Sequence, residues 1–143
     1  MRNLGNLHQF LGITAKYTKD GMLLQQTQYA ENILLQAGMQ NSKEVATPTS
    51  IKTVNTSDSS SFSNPTLYRQ LVGAFQYLTL TRPDITYAVN KACQHMHNPT
   101  DQNFDALKQI LRYICGTTHY GLPITGSSMV LLSYADFDWA GDQ

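Results

Sequence analysis

The sequence predicts an α+β fold, and three observations predict it. Alternating apolar residues around an Asp-Gly pair mark a β-hairpin near the N-terminus. Apolar residues at three- and four-residue steps mark one helix after it and a three-helix segment over 65–116. Two short β-type runs then close the chain as a second hairpin.

Composition sets the outer bounds. The 143 residues suffice for one domain with a real core. Ten Lys plus Arg balance ten Asp plus Glu, so no net field draws in a polyanion. That counts against an autonomous nucleic-acid-binding domain, whose affinity rests on phosphate contacts. No apolar run approaches the length of a bilayer span and no signal-peptide pattern opens the chain, so no membrane partner is expected. Two cysteines, Cys93 and Cys115, form no disulfide framework, and the expected setting is intracellular, cytoplasm or nucleus.

Taken in order, Phe10, Leu11, Ile13, Ala15 and Tyr17 near-alternate within residues 8–17, which fits a strand with one buried face. Asp20-Gly21 is a strong hairpin signal, and Met22 to Gln26 is the return strand. Thr27 is placed to cap a helix from Gln28 to Ala37, with Tyr29, Ile33, Leu34 and Ala37 facing inward and Gly38 ending it. From Asn41 to Asn64, Ser and Thr dominate and large apolar residues are few. Such a stretch buries too little surface to offset its ordering entropy, so a flexible linker is expected over 49–64, dividing residues 1–48 from the helices.

In the next helix Leu67, Leu71, Ala74, Phe75 and Leu78 share a face. Pro83 lacks an N–H and disfavours helix at Arg82, so the helix stops there; Asp84 suits the positive end of the following one. That helix carries Ile85, Ala88, Val89, Ala92 and Met96. After Asn98-Pro99, Thr100 caps a third helix striped by Phe104, Leu107, Leu111 and Ile114 and closed at Cys115-Gly116. His119 to Thr125 and Met129 to Asp136 are the final β-type runs, with a turn at Gly126-Ser127-Ser128.

The string from Tyr68 to Asn90, YRQLVGAFQYLTLTRPDITYAVN, resembles the signature that lies between reverse transcriptase and ribonuclease H in copia-type retrotransposon Pol polyproteins. The flanks agree in order. LGNLHQFLGI is similar to the primer-grip region, and the Tyr134-Ala135-Asp136-Phe137-Asp138-Trp139-Ala140-Gly141-Asp142 run looks like the opening strand of the family's ribonuclease H. The resemblance implies four parts. Residues 1–48 would be a palm remnant with a primer-grip-like hairpin and helix, 49–64 a linker, 65–116 the thumb and connection, and 117–143 the truncated start of ribonuclease H.

The same resemblance implies the site residues. Phe10, Leu11 and Gly12 would hold a primer strand, with Gly12 admitting a sugar-phosphate backbone closely; an ordinary hairpin with a tight bend is the alternative. Asp136 would be the first of four carboxylates holding two magnesium ions, a set that the chain does not complete. The paired-aspartate polymerase strand is absent, since no two Asp residues are adjacent in the sequence; it would precede Arg2. Arg69, Arg82, Lys91, Lys108 and Arg112 would track a template–primer duplex or RNA–DNA hybrid. Solvated faces of amphipathic helices explain them equally, and Arg82 has a structural alternative as the partner of Asp84.

Other chemistry is poorly supported. Cys93, His95 and His97 fall in one predicted helix, where only Cys93 and His97 share a face, a spacing unlike structural zinc sites. The expectation is a chain without catalysis of its own or a cofactor, magnesium belonging to the intact parent. The alternative is a retained module that binds nucleic acid or the intact Pol protein without catalysis.

Overall fold

The computed structural model describes residues 8–49 and 60–126. Among them four helices and a four-stranded antiparallel sheet make an α+β fold, as the sequence predicts.

The sheet is built from β1 (Gln9–Phe10), β2 (Ile13–Thr18), β3 (Gly21–Gln25) and β4 (Gly121–Thr125), in that spatial order. The N-terminal run is thus two tight hairpins in succession, bending first at Leu11-Gly12 and again at Lys19-Asp20. β4 pairs antiparallel with β3, Gly21 opposite Thr125 and Gln25 opposite Gly121. The sequence alone assigned this run to a C-terminal hairpin; here one of its partners is a strand about a hundred residues earlier. Its expected mate, 129–136, lies outside the described residues, as does Asp136.

Two glycines make the β3–β4 approach possible. A Cβ on Gly21 would sit 2.0 Å from the Ile124 carbonyl oxygen, and one on Gly121 would sit 2.3 Å from that of Leu24. Pro123, which lacks an N–H, belongs at an edge, where β4 lies among the described residues. Register places Phe10, Ile13, Ala15, Tyr17, Met22, Leu24, Leu122 and Ile124 on one face of the sheet.

The helices are α1 (Thr27–Gln36), α2 (Pro65–Leu78), α3 (Thr86–Cys93) and α4 (Asp101–Gly116). Thr27 is the first residue of α1 and not its cap: Gln26 holds that position and its side chain makes no capping bond, its Oε1 accepting instead from the Thr81 hydroxyl at 2.8 Å. Gly38, at φ 66°, ends the helix as expected. At α2 the Asn64 side chain accepts from the Leu67 N–H at 3.0 Å, and Pro65 begins the helix, where a missing donor costs little. α2 ends at Leu78. Pro83 opens a 3-10 turn to Ile85 before α3, which ends at Cys93 and so excludes His95 and His97, contrary to the sequence reading. Thr100 caps α4 in a capping box with Asn103, as its position predicts.

All four helices share one core. Ala30, Ile33 and Leu34 of α1 pack with Tyr68, Leu71, Val72, Phe75 and Leu78 of α2, with Ile85, Ala88 and Val89, and with Leu107, Ile110, Leu111 and Ile114 of α4. Each fully buried Leu, Ile or Phe stabilises the fold by about 1.5–3 kcal/mol. The α1 helix is therefore held in the same body as the helices beyond the Ser/Thr-rich stretch. The described ends of that stretch are also docked. Phe62 stacks on Phe104 with centroids 4.1 Å apart, and the Phe62 N–H donates to the Pro99 carbonyl at 2.9 Å. On the other side, Arg112 Nε donates to the Lys43 carbonyl and Gln109 Nε2 to that of Thr47.

Candidate nucleic-acid interface

The hairpin tip exposes two large apolar side chains at a predicted site. Phe10 is 61% and Leu11 70% exposed. Leu11 has φ 49° and Gly12 φ 76°, so both turn residues are left-handed. Gly12 adopts this without penalty, whereas a leucine there costs on the order of 1–2 kcal/mol. A Cβ on Gly12 would meet nothing within 4 Å, so its backbone faces open space. The Tyr77 hydroxyl, in the last turn of α2, donates to the Leu11 carbonyl. Tyr77 in turn meets Tyr29 of α1 edge to face, with centroids 5.1 Å apart. Burial, and secondarily the neighbouring Tyr77, push the Tyr29 phenol above its ordinary value.

The predicted basic surface separates into distinct cases. Arg82 is only 2% exposed. Its Nε donates to both Asp84 carboxylate oxygens at 2.9 and 3.2 Å, and one terminal nitrogen donates to Asp84 Oδ2 at 2.7 Å. The same terminal nitrogen donates to the Thr117 hydroxyl and the other one to the Thr117 carbonyl, both at 2.8 Å. The rings of Tyr113 and Tyr120 lie 5.5 and 5.4 Å from its guanidinium carbon. The structural alternative is therefore the one seen: the fork is turned inward on protein groups, and no phosphate reaches it in this conformation. Burial pushes the Asp84 carboxyl up, but the bonds from Arg82 and Tyr113 and the Arg82 charge outweigh it. Together they hold the group below its ordinary 3.8.

Arg69 lies on the surface with Nε donating to the Met96 carbonyl at 2.9 Å and a terminal nitrogen to His97 at 3.2 Å. It ties the segment that follows α3 to α2. Lys108 pairs with Asp105 at 2.8 Å, and Arg112 holds Lys43. Lys91, exposed in the last turn of α3, makes no hydrogen bond or ion pair among the described residues. Of the basic residues singled out from sequence, Lys91 and Arg69 are thus the exposed ones that have no ion-pair partner among the described residues. The predicted site residues form no single cluster: Phe10, Leu11 and Gly12 share the hairpin tip, whereas Arg69 and Lys91 belong to α2 and α3.

Among the described residues no group of His, Cys, Asp and Glu could hold a metal ion. Burial pushes the Cys93 thiol up, which disfavours the thiolate needed for ligation or attack. No helix among them is long and apolar enough to cross a membrane. Sequence reasoning missed Tyr77 and Tyr29 as neighbours of the hairpin. Tyr29 was marked as inward-facing, but its contact depends on packing between helices far apart in the chain.

Comparison with known proteins gives the family. No family model matches the chain, and no solved structure matches it significantly. An uncharacterised mitochondrial protein of Arabidopsis thaliana is 48% identical over 142 residues, 99% of this chain and 59% of that protein. The retrovirus-related Pol polyprotein from transposon RE2 of the same plant is 45% identical over 139 residues, 96% of this chain and 10% of the polyprotein. The corresponding polyprotein from transposon TNT 1-94 of Nicotiana tabacum is 34% identical over 152 residues, 99% of this chain and 11% of its own length. The chain thus spans about six-tenths of the first relative and about a tenth of the polyproteins. By its sequence it is a homologue of a segment of the retrovirus-related Pol polyproteins of copia-type transposons.

Proposed function

We propose that this chain corresponds to the joint between reverse transcriptase and ribonuclease H in such a polyprotein, and that it contacts an RNA–DNA hybrid without cutting or extending it. The observation that carries the reading is the exposed Phe10-Leu11-Gly12 tip, projecting left-handed from a hairpin tethered to the helical body. An apolar tip with open space over a glycine suits close approach to a sugar-phosphate backbone, the part assigned to a primer grip. Arg69 and Lys91 supply the phosphate contacts. With so few cations the binding is weak, and its logarithm falls with log salt at a slope of about −1 to −2. Magnesium, and Asp136 as its ligand, belong to the intact polyprotein in this reading. The setting proposed is intracellular.

The test is affinity for a short RNA–DNA hybrid at several salt concentrations, with cleavage assayed in parallel in the presence of magnesium. Salt-dependent binding, weakened by Phe10→Ser and by Arg69→Ala with Lys91→Ala, supports the reading. No binding at low salt overturns it, and cleavage abolished by Asp136→Asn overturns the non-catalytic part.

One observation favours a second reading, docking onto intact Pol protein. Phe10, Tyr17 and Ile124 are exposed on the same face of the sheet, which is apolar along its whole register. Such a face suits burial against protein more than against phosphate. Co-purification with Pol that survives high salt and is lost in Tyr17→Lys would favour this reading over the first.

A further inference from the structure

We propose that Tyr77 is a positioning residue for the hairpin tip, holding Phe10-Leu11-Gly12 in its projecting conformation from the helical body; this rests on the hybrid-binding reading above. Three observations lead to it. β1 is two residues long and pairs with β2 through Gln9–Thr14 and Phe10–Ile13, extended by one bond from the Ala15 N–H to the His8 carbonyl, so among the described residues the first hairpin has a short ladder. Its turn places a leucine at φ 49°, a conformation that persists only where the surroundings over-determine it. Among the described residues, the one side-chain hydrogen bond to that turn comes from a residue 66 positions later, the Tyr77 hydroxyl donating to the Leu11 carbonyl.

Tyr77 is itself held from behind. The Tyr29 ring meets it at 83°, nearly perpendicular, and Tyr29 belongs to the helix that begins just after β3. The tyrosine is therefore fixed between α1 and the hairpin, with its hydroxyl turned to the Leu11 carbonyl. A neutral phenol suits this task. It donates to a carbonyl without placing a charge where the chain is to meet phosphate, and its ring has few rotatable bonds to order. The consequence is that the tip moves as part of the helical body, so the apolar pair Phe10 and Leu11 stands at a set distance from Arg69 and Lys91.

Tyr77→Phe in the full chain is the test, because it removes the donor and keeps the ring against Tyr29. Amide exchange in residues 9–14 is expected to quicken about fivefold, the value of one ordinary hydrogen bond. The dissociation constant for an RNA–DNA hybrid is expected to rise by about the same factor at an unchanged salt slope. The thermal midpoint of the helical body stays where it was. Exchange in 9–14 that does not change overturns the proposal, as does faster exchange with unaltered affinity. A parental chain that shows no hybrid affinity at all overturns the functional reading instead. The two failures are told apart because the exchange measurement needs no nucleic acid.

Discussion

Arg82 and Thr117 are 35 residues apart in sequence and joined by two hydrogen bonds, both 2.8 Å long, one to the threonine carbonyl and one to its hydroxyl. Thr117 closes α4, and Arg82 begins the corner between α2 and α3. The contact seals the end of α4 with a cation, where the helix dipole is negative. It also sets the direction in which the chain leaves towards β4.

Arg82→Lys is expected to destabilise the protein by about 2–3 kcal/mol. The loss lies at or below the low end for a broken buried pair, because Asp84 keeps about a third of its surface in water. A lysine retains the charge but not the fork that serves Asp84 and Thr117 together. Urea denaturation followed by far-UV circular dichroism checks this, and a change under 0.5 kcal/mol would contradict it.

Asp84 gives the fold an acid limit. Its folded carboxyl lies below the ordinary 3.8 that it regains on unfolding. Its contribution is therefore fully present above that value and is lost as pH falls through the folded one. Stability is expected to hold steady on this account from neutrality to about pH 4 and to fall below it. The Asp84→Asn protein should be less stable at neutral pH and show a shallower acid dependence. Parallel acid profiles for the two proteins would rule out this assignment.

Tyr68 sets a limit at the other end. Its hydroxyl is buried and donates to the Ala92 carbonyl at 2.9 Å, and burial, with a smaller push from Cys93, raises its phenol from 10.0 to about 12. A folded value above the unfolded one means that the stabilisation is intact below pH 10 and is lost as pH climbs towards 12. In Tyr68→Phe this alkaline loss should disappear, at a cost near neutrality of about 1 kcal/mol for the missing bond. Absorbance titration of the phenolates beside a denaturation series gives both quantities.

Gly121→Ala should detach β4 and leave the helices folded. The new methyl carbon would start 2.3 Å from the Leu24 carbonyl oxygen, which belongs to backbone and cannot swing aside. The expected cost is about 1–3 kcal/mol, the usual range for overpacking. Amide exchange should rise across 121–125 and in β3 while α2 and α4 stay protected. Uniform loss of protection in sheet and helices alike would show that the sheet is no separate unit.

Phe62→Ala tests whether the last residues of the Ser/Thr-rich stretch are part of the fold. Losing the stack on Phe104 should cost about 1–2 kcal/mol. Exchange at Phe62 N–H, which donates to Pro99, should speed up with it. An unchanged melting midpoint would mean that this segment contributes nothing.

What was legible in the sequence follows from how far each interaction reaches along the chain. Thr100 as a cap, Gly38 as a stop, the Pro83 break and the inward faces of α2 and α4 rest on residues within a turn or two, and all are present. Thr27 misled because a capping residue type one position inside a helix looks the same as one at its edge. The docking of Phe62 was hidden because composition describes the average of a stretch and not the one aromatic within it. Arg82 could be paired with Asp84 from their spacing. Its burial could not be read, because Thr117, Tyr113 and Tyr120 are distant partners. For the site, Phe10, Leu11 and Gly12 were found as a turn, whereas the tyrosine beneath them was not. A tether between residues 66 apart leaves no periodic trace.

The pairing of β3 with β4 has a kinetic consequence. Helices α2, α3 and α4 assemble through contacts at short and middle range, but Gly21–Gln25 must wait for Gly121–Thr125 before its second edge is covered. On a ribosome the early hairpin therefore emerges with one edge open while nearly the whole of the described chain is still to be made. Non-local strand pairing raises contact order and slows folding, and an uncovered strand is a template for intermolecular pairing. Completion of the sheet is accordingly the late step, and synthesis that stalls between α4 and β4 leaves a folded helical body carrying a sticky hairpin.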